Sequence, residues 1–203
     1  MREVDTGLGP ARLHVTDGGG SGTLVLGHGA GGGVDSVDLL AVTTAAADVG
    51  WRVLRVEQPW RVAGKRIAPA PPRLDDGWRA ALEHARAGGL LTGRLVLGGR
   101  SAGARVACRT AAEHRADGVL ALAFPLHPPG RPEKSRSAEL TGVAVPLVVV
   151  QGETDSMGAP ADIATALTGL PAASVYAVPG DHSLKRNPAL VAAAVLAWLA
   201  ELG

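Results

Sequence analysis

The chain is expected to fold as an α/β protein, with a mostly parallel central sheet and helices on both of its faces. Three observations predict this. Short runs rich in Val and Leu recur along the chain, each closing on Gly or Pro. Helix-length stretches lie between them, so strands and helices alternate. Runs such as Leu147-Val148-Val149-Val150 are apolar at every position, as strands covered from both sides must be.

Taken in order, Met1–Thr6 and Ala11–Thr16 flank Gly-Leu-Gly-Pro and read as an antiparallel edge hairpin. The strand runs that follow are Thr23–His28, Arg52–Gln58, Arg94–Gly99, Gly118–Pro125, Pro146–Gly152 and Ser174–Pro179. Helices are expected over Val37–Val49, Leu74–Ala87, Ala102–Arg115, Ala161–Leu167 and Pro188–Glu201. The last has Asn187 as N-cap and Pro188 at the first helical position, where a missing N–H costs nothing. Two long loops, Arg61–Arg73 and Leu126–Thr141, follow strand ends, where ligands sit in open α/β sheets. With 203 residues, no internal repeat and no linker, one domain is expected over residues 1–203.

Composition excludes several classes. Acids and bases nearly balance at a net charge of +1, and no dense Lys/Arg run marks a nucleic-acid surface. The nearest approach, Arg131 to Arg136, is interrupted by Glu133 and reads as a solvated loop. The longest apolar run, Ala189 to Ala200, is too short to span a bilayer. A single cysteine, Cys108, offers no internal disulfide, and acids stand near the N-terminus where a signal peptide needs an apolar core. A cytoplasmic protein without nucleic-acid or membrane partners is expected; oligomeric state is not encoded.

The strongest chemical signal is Gly99-Arg100-Ser101-Ala102-Gly103, between the strand-like Leu95-Val96-Leu97 and a helix-like stretch. This is G-x-S-x-G in the strand–turn–helix setting that presents a serine on a sharp turn. A serine hydroxyl needs a base to take its proton. His182, in Gly180-Asp181-His182-Ser183, lies between the last strand and the last helix, on the same sheet edge as Ser101. His127 also lies in a loop near that edge and competes with it, whereas His84 and His114 read as solvent-exposed on polar helix faces and His14 belongs to the hairpin. The carboxylate that orients the base is assigned to Asp155, beyond the strand ending at Gln151-Gly152; Glu153 is the nearby substitute. The order Ser…Asp…His then fits the fold.

A glycine loop, Gly27-His28-Gly29-Ala30-Gly31-Gly32-Gly33, follows the first parallel strand. Gly27, Gly29 and Gly32 satisfy the bare spacing of a dinucleotide loop, but no helix with a following acid completes that motif. The other reading is an oxyanion loop, in which the N–H of Ala30 (or Gly31) joins that of Ala102 at the helix start. Arg100 is either a residue at the mouth favouring an anionic substrate or half of a structural ion pair.

Together these pieces resemble the α/β-hydrolase superfamily over nearly the whole chain. In detail they are similar to its dienelactone-hydrolase-like side, and there to the small lidless hydrolases related to testis-expressed protein 30 and to the hydrolase-like domain of a chromatin-complex subunit. The strings that carry this are His28-Gly29-Ala30-Gly31-Gly32, Gly98-Gly99-Arg100-Ser101-Ala102-Gly103, Phe124-Pro125-Leu126-His127-Pro128-Pro129-Gly130, Gln151-Gly152-Glu153-Thr154-Asp155 and Asp181-His182-Ser183-Leu184. The resemblance implies a minimal α/β-hydrolase fold without a lid domain. Dienelactone hydrolases proper carry cysteine at the turn where this chain has Ser101, so dienelactone is not carried over as substrate; Cys108, about two turns on, is expected in the core.

The expected function is a serine hydrolase acting on a small carboxylic ester or thioester through an acyl-enzyme, with no metal or organic cofactor. Amide hydrolysis requires the same residues. The alternative class is a non-catalytic protein-interaction domain that keeps the fold; retention of Ser101, Asp155 and His182 together counts against it.

Overall fold

A computed structural model of the chain describes residues 1–202. Eight strands form one sheet: β1 (Arg2–Asp5), β2 (Pro10–Thr16), β3 (Gly22–Gly27), β4 (Trp51–Glu57), β5 (Arg94–Arg100), β6 (Gly118–Leu122), β7 (Leu147–Gly152) and β8 (Ala173–Val178). Their order is β1-β2-β4-β3-β5-β6-β7-β8. The hairpin β1–β2 is antiparallel and β2 pairs antiparallel with β4; every other pairing is parallel. Parallel neighbours require crossovers, and the helices supply them.

Those helices are α1 (Val37–Asp48), α2 (Pro59–Val62), α3 (Pro71–Ala87), α4 (Ala102–Thr110), α5 (Ser137–Thr141), α6 (Pro160–Ala166) and α7 (Pro188–Glu201). Successive strand residues alternate between two cores, because side chains leave a strand on opposite faces. Val25, Leu54, Leu97 and Val149 pack with Trp78, Val106, Leu140 and Ile163 of α3 to α6. Leu24, Val53, Val96 and Val148 pack with Leu39 and Val42 of α1 and Val195 and Trp198 of α7. Full burial of each such Val or Leu is worth about 1.5–3 kcal/mol. Strands β3, β6 and β7 are buried at every position, as their unbroken apolar runs require.

Several boundaries differ from expectation. The loop expected over Arg61–Arg73 is shortened at both ends, by α2 and by an α3 that begins at Pro71, with Pro fixing φ in the first turn. The loop over Leu126–Thr141 ends in α5. Helix α4 stops at Thr110 rather than Arg115, because the chain reverses through Arg115 at φ 54° to enter β6. Strand β6 ends at Leu122, where Ala123 at φ 45° turns the chain ahead of Pro125. No helix among the described residues is long and apolar enough to cross a membrane.

The helix α4 is clamped from its outer side. Arg105 makes a two-pronged pair with Glu139 at 2.8 and 2.6 Å, and Arg109 makes another with Asp75 at 2.9 and 2.6 Å. On its inner side, glycines permit contact that side chains forbid. A Cβ at Gly103 would run into the carbonyl of Gly27, and one at Gly99, where φ is +153°, would strike the same stretch of β3 backbone. Cys108 is buried in this helix, and burial pushes its thiol up to about 12, as suits an inert core residue.

Gly103→Ala therefore drives a methyl into strand backbone and is expected to lower stability by about 1–3 kcal/mol. Gly31→Ala, where nothing stands within 4 Å of the added carbon, is expected to change it by less than about 0.5 kcal/mol. Urea unfolding of the two variants beside the parent measures the contrast.

Candidate active site

Ser101 stands between the end of β5 and the start of α4 at φ 55°, ψ −108°. A non-glycine residue there costs on the order of 1–3 kcal/mol, which the packed sheet and helix sustain. Its N–H donates to the carbonyl of Leu122 on β6 at 2.9 Å, pinning the turn to the neighbouring strand.

His182 arrives on the loop between β8 and α7. Its Nε2 lies 2.9 Å from Ser101 Oγ, and its Nδ1 lies 2.7 Å from Asp155 Oδ2. Asp155 is 4% exposed, yet its oxygens are supplied with donors: Gln151 Nε2 at 2.8 Å to Oδ2 and the Met157 N–H at 2.8 Å to Oδ1. A carboxyl surrounded by donors accepts, so Nδ1 carries the hydrogen and the Nε2 lone pair faces the serine hydroxyl. Ser101, His182 and Asp155 thus stand in one hydrogen-bonded line, with Asp155 at its buried end.

The two loops that bring in the acid and the imidazole are stitched to each other. Glu153 N–H donates to Val178 O at 2.9 Å, and both the N–H and the Oγ1 of Thr154 donate to Gly180 O at 2.9 Å. Any side chain at Gly152 would meet the carbonyls of Gly180 and Asp181. Glu153 itself points outward and is exposed, which separates it from Asp155.

The other histidines lie elsewhere. His127 turns its Nδ1 onto the carbonyl of Pro128 at 2.9 Å, and its backbone N–H is held by Met157 O at 3.1 Å. His14 faces Glu57 at 3.2 Å on β2 and β4, and His84 is exposed on α3. His114 departs from expectation. Its side chain is only 10% exposed, since the turn after α4 folds it inward against Glu113, and burial lowers its pKa.

The glycine loop lies beside the elbow. His28 is buried within it, donating from Nδ1 to Gly29 O at 3.0 Å and accepting the Gln58 N–H at Nε2 at 3.2 Å, with Trp60 against its ring. Burial lowers its pKa, and both ring nitrogens are spent on backbone, so it holds the loop as a neutral ring. Ala30 sits at the exposed turn of this loop, and Ala102 is the first residue of α4, whose opening N–H groups have no intrahelical acceptor.

Arg100 ties these parts together. Its Nε lies 3.6 Å from Asp38 Oδ2 on α1, and its NH1 donates to the carbonyl of His182 at 3.3 Å. Added carbons at Gly29 and Gly32 would stand 3.0 and 3.1 Å from its NH2, so the loop lies directly against the guanidinium. Arg100 is therefore the ion-pair member of the two roles the sequence leaves open. Sequence reasoning missed His28, Asp38 and Gln151. Gln151 stands four residues before Asp155 at a strand end, and its polarity inside an otherwise apolar buried run was the available signal.

Known folds of the same shape are numerous. Est1E from Butyrivibrio proteoclasticus, in a structure with ferulic acid bound, matches with a TM-score of 0.85 at 15% identity over 100% of this chain and 99% of that one. A serine hydrolase without a lid from Xanthomonas campestris matches at 0.79 and 21% identity over 98% and 93% of the two chains. A serine hydrolase homologue from Coxiella burnetii matches at 0.78 and 16% identity over 96% of each. At these identities the likeness is one of fold: a mostly parallel α/β-hydrolase sheet with no lid over it. At the level of sequence, residues 20–191 match the alpha/beta hydrolase domain family, a span that holds the glycine loop, the elbow and the loops bearing Asp155 and His182, and the chain belongs to that family.

Proposed function

We propose that this chain is a serine hydrolase that cleaves a small carboxylic ester or thioester through an acyl-enzyme, with Ser101 as nucleophile, His182 as base and Asp155 as the orienting acid. The observation that carries the reading is the line of hydrogen bonds from Asp155 through His182 to Ser101, at 2.7 and 2.9 Å, anchored on a buried carboxylate. In the first step Ser101 Oγ bonds to the substrate carbonyl carbon as its proton passes to His182 Nε2. The imidazolium then gives that proton to the leaving alcohol or thiol as its bond to carbon breaks. Water repeats the sequence: its oxygen attacks the acyl carbon, its proton passes through His182 to Ser101 Oγ, and the free acid departs. The N–H groups of Ala30 (or Gly31) and Ala102 hold the oxyanion at each tetrahedral stage.

The surroundings favour a compact substrate. The connection from β6 to β7 carries only the short α5, so nothing roofs the mouth in the manner of a lipase lid. A cleft of about 240 Å³ on the connection after β4 is lined by Leu8, Pro59, Trp60 and Ile67 together with Gln58, Lys65 and Arg73. The likeness in shape to Est1E, whose structure holds ferulic acid, fits a substrate with one flat or branched apolar part.

Arg100 acts here as a positioning residue. Its bond to the His182 carbonyl, with Asp38 behind it, holds the imidazole loop and the glycine loop in one relation. Asp38 is 1% exposed at its side chain, so removing the guanidinium strands a buried charge.

Labelling with a fluorophosphonate probe tests the reading. The parent protein is expected to label, and Ser101→Ala and His182→Ala to give no signal above background. Folded parent protein that never labels would sink the hydrolase proposal in favour of a scaffold. Asp155→Asn presents the wrong imidazole tautomer, and ester turnover is expected to fall by about 10⁴-fold. For Arg100→Met, urea unfolding is expected to show a loss of about 3–5 kcal/mol, part of which returns when Asp38→Asn is added.

A further inference from the structure

Resting on the hydrolase reading, we infer that Leu184 is a positioning residue for the base: its buried side chain holds the turn at His182 in a left-handed conformation that the backbone would otherwise leave. Leu184 takes φ 53°. For a bulky residue this is a true outlier, because Cβ is pressed against the following carbonyl oxygen. Among the described residues, Arg115, Ala123, Ser101 and Leu184 are the non-glycine positions with positive φ. Arg115 and Ala123 serve chain reversals on either side of β6. The other two are the nucleophile itself and a residue two positions beyond the base.

Burial keeps the leucine there. Leu184 is 1% exposed and belongs to the core between the sheet and helices α1 and α7, with Leu26, Leu39, Val150, Val178 and Val191. Between Val178 at the end of β8 and Val191 in α7 it is the one buried residue, and Asp181, Lys185 and Arg186 around it are exposed. The connection that carries His182 thus has a single apolar anchor. Glycine would adopt this φ at no cost and asparagine at little, so the turn alone does not account for leucine. The side chain reaches the core only where the backbone yields.

Leu184 and His182 belong to one tight reversal. Leu184 N–H donates to Asp181 O at 3.2 Å, and Ser183 N–H donates to Asp181 Oδ1 at 2.9 Å, so His182 is the second residue of a four-residue turn. Thr154 fixes the approach to this turn at Gly180, and Arg100 holds the His182 carbonyl within it. Leu184 fixes the exit. With φ at 184 in its ordinary negative range the reversal would open. The imidazole would then leave Ser101 Oγ, now 2.9 Å away, and Asp155 Oδ2, now 2.7 Å away. Anchor and strain together leave one conformation, so the imidazole is oriented before substrate arrives.

Substitutions at 184 separate positioning from core filling. In Leu184→Ala the strain stays and the anchor goes, and kcat for a p-nitrophenyl ester is expected to fall by about 10²-fold with KM within about twofold. Leu184→Gly loses more side chain yet takes the left-handed conformation freely, and is expected to regain at least about fivefold of that kcat. Leu184→Met keeps the apolar reach and is expected to stay within about threefold of the parent. Leu199→Ala removes a leucine of the same core at the far end of α7, and is expected to weaken the fold to urea while leaving kcat unchanged. Where Leu184→Ala does not fold, Leu184→Val keeps most of the burial but suits positive φ still less, and its kcat is expected to fall by about tenfold. Parent-like kcat in folded Leu184→Ala or Leu184→Val overturns the inference. So does a kcat lower in Leu184→Gly than in Leu184→Ala, the order that core volume alone gives. Proton NMR requires no turnover. The parent is expected to show a far-downfield Nδ1–H signal from the bond to Asp155, absent in His182→Ala, lost in Leu184→Ala and restored in Leu184→Met. A signal missing from the parent, or unchanged in Leu184→Ala, overturns the positioning role. The full pattern in a protein that cleaves no ester leaves that role standing and counts against the hydrolase reading alone.

Discussion

The close approach of β3 to the turn at Ser101 is the constraint on which the rest of the site depends. Gly27 on β3 and Gly99 and Gly103 around the turn bring backbone against backbone, with no room for a methyl between them. That contact lets β5 pass into α4 within one residue and forces Ser101 to φ 55°. The strained residue stays in place because it sits between a buried strand and a helix clamped by Arg105–Glu139 and Arg109–Asp75. A softer junction would relax, and the hydroxyl would swing away from the sheet edge.

From that fixed point the imidazole is located by two further devices. The loops after β7 and β8 share hydrogen bonds through Thr154 and Gly180, so the loops that carry Asp155 and His182 are tied to each other. Arg100, next to the serine in sequence, reaches the carbonyl of His182 and so links the loop after β8 to the turn at Ser101. Burial then selects among carboxylates. Asp155 is enclosed with Gln151 and the Met157 N–H as donors, whereas Glu153 faces water, where its charge is screened.

Charge is arranged with similar economy. Arg100 is answered by the buried Asp38, and Glu57 on β4 and Asp35 beyond the glycine loop are answered by cations of β2 and β4. A net charge of +1 says nothing of this pairing, because the average over a chain does not tell which end of a sheet a residue reaches.

The sequence by itself determined the class of fold and most of the element boundaries, since unbroken apolar runs, helix-length spacers and Gly/Pro stops are local signals. It also marked Ser101, His182 and Asp155 as candidates, because G-x-S-x-G and the order of residues at strand ends can be read along a line. Only the tertiary structure decided that His182 rather than His127 meets the serine, that Asp155 is enclosed and Glu153 is not, and that Arg100 is spoken for by Asp38. It likewise turned His114 inward. Each of those outcomes is a contact or a burial between residues far apart in the chain, 81 positions apart in the case of Ser101 and His182. Local propensity carries no record of such pairs; packing of the finished sheet creates them.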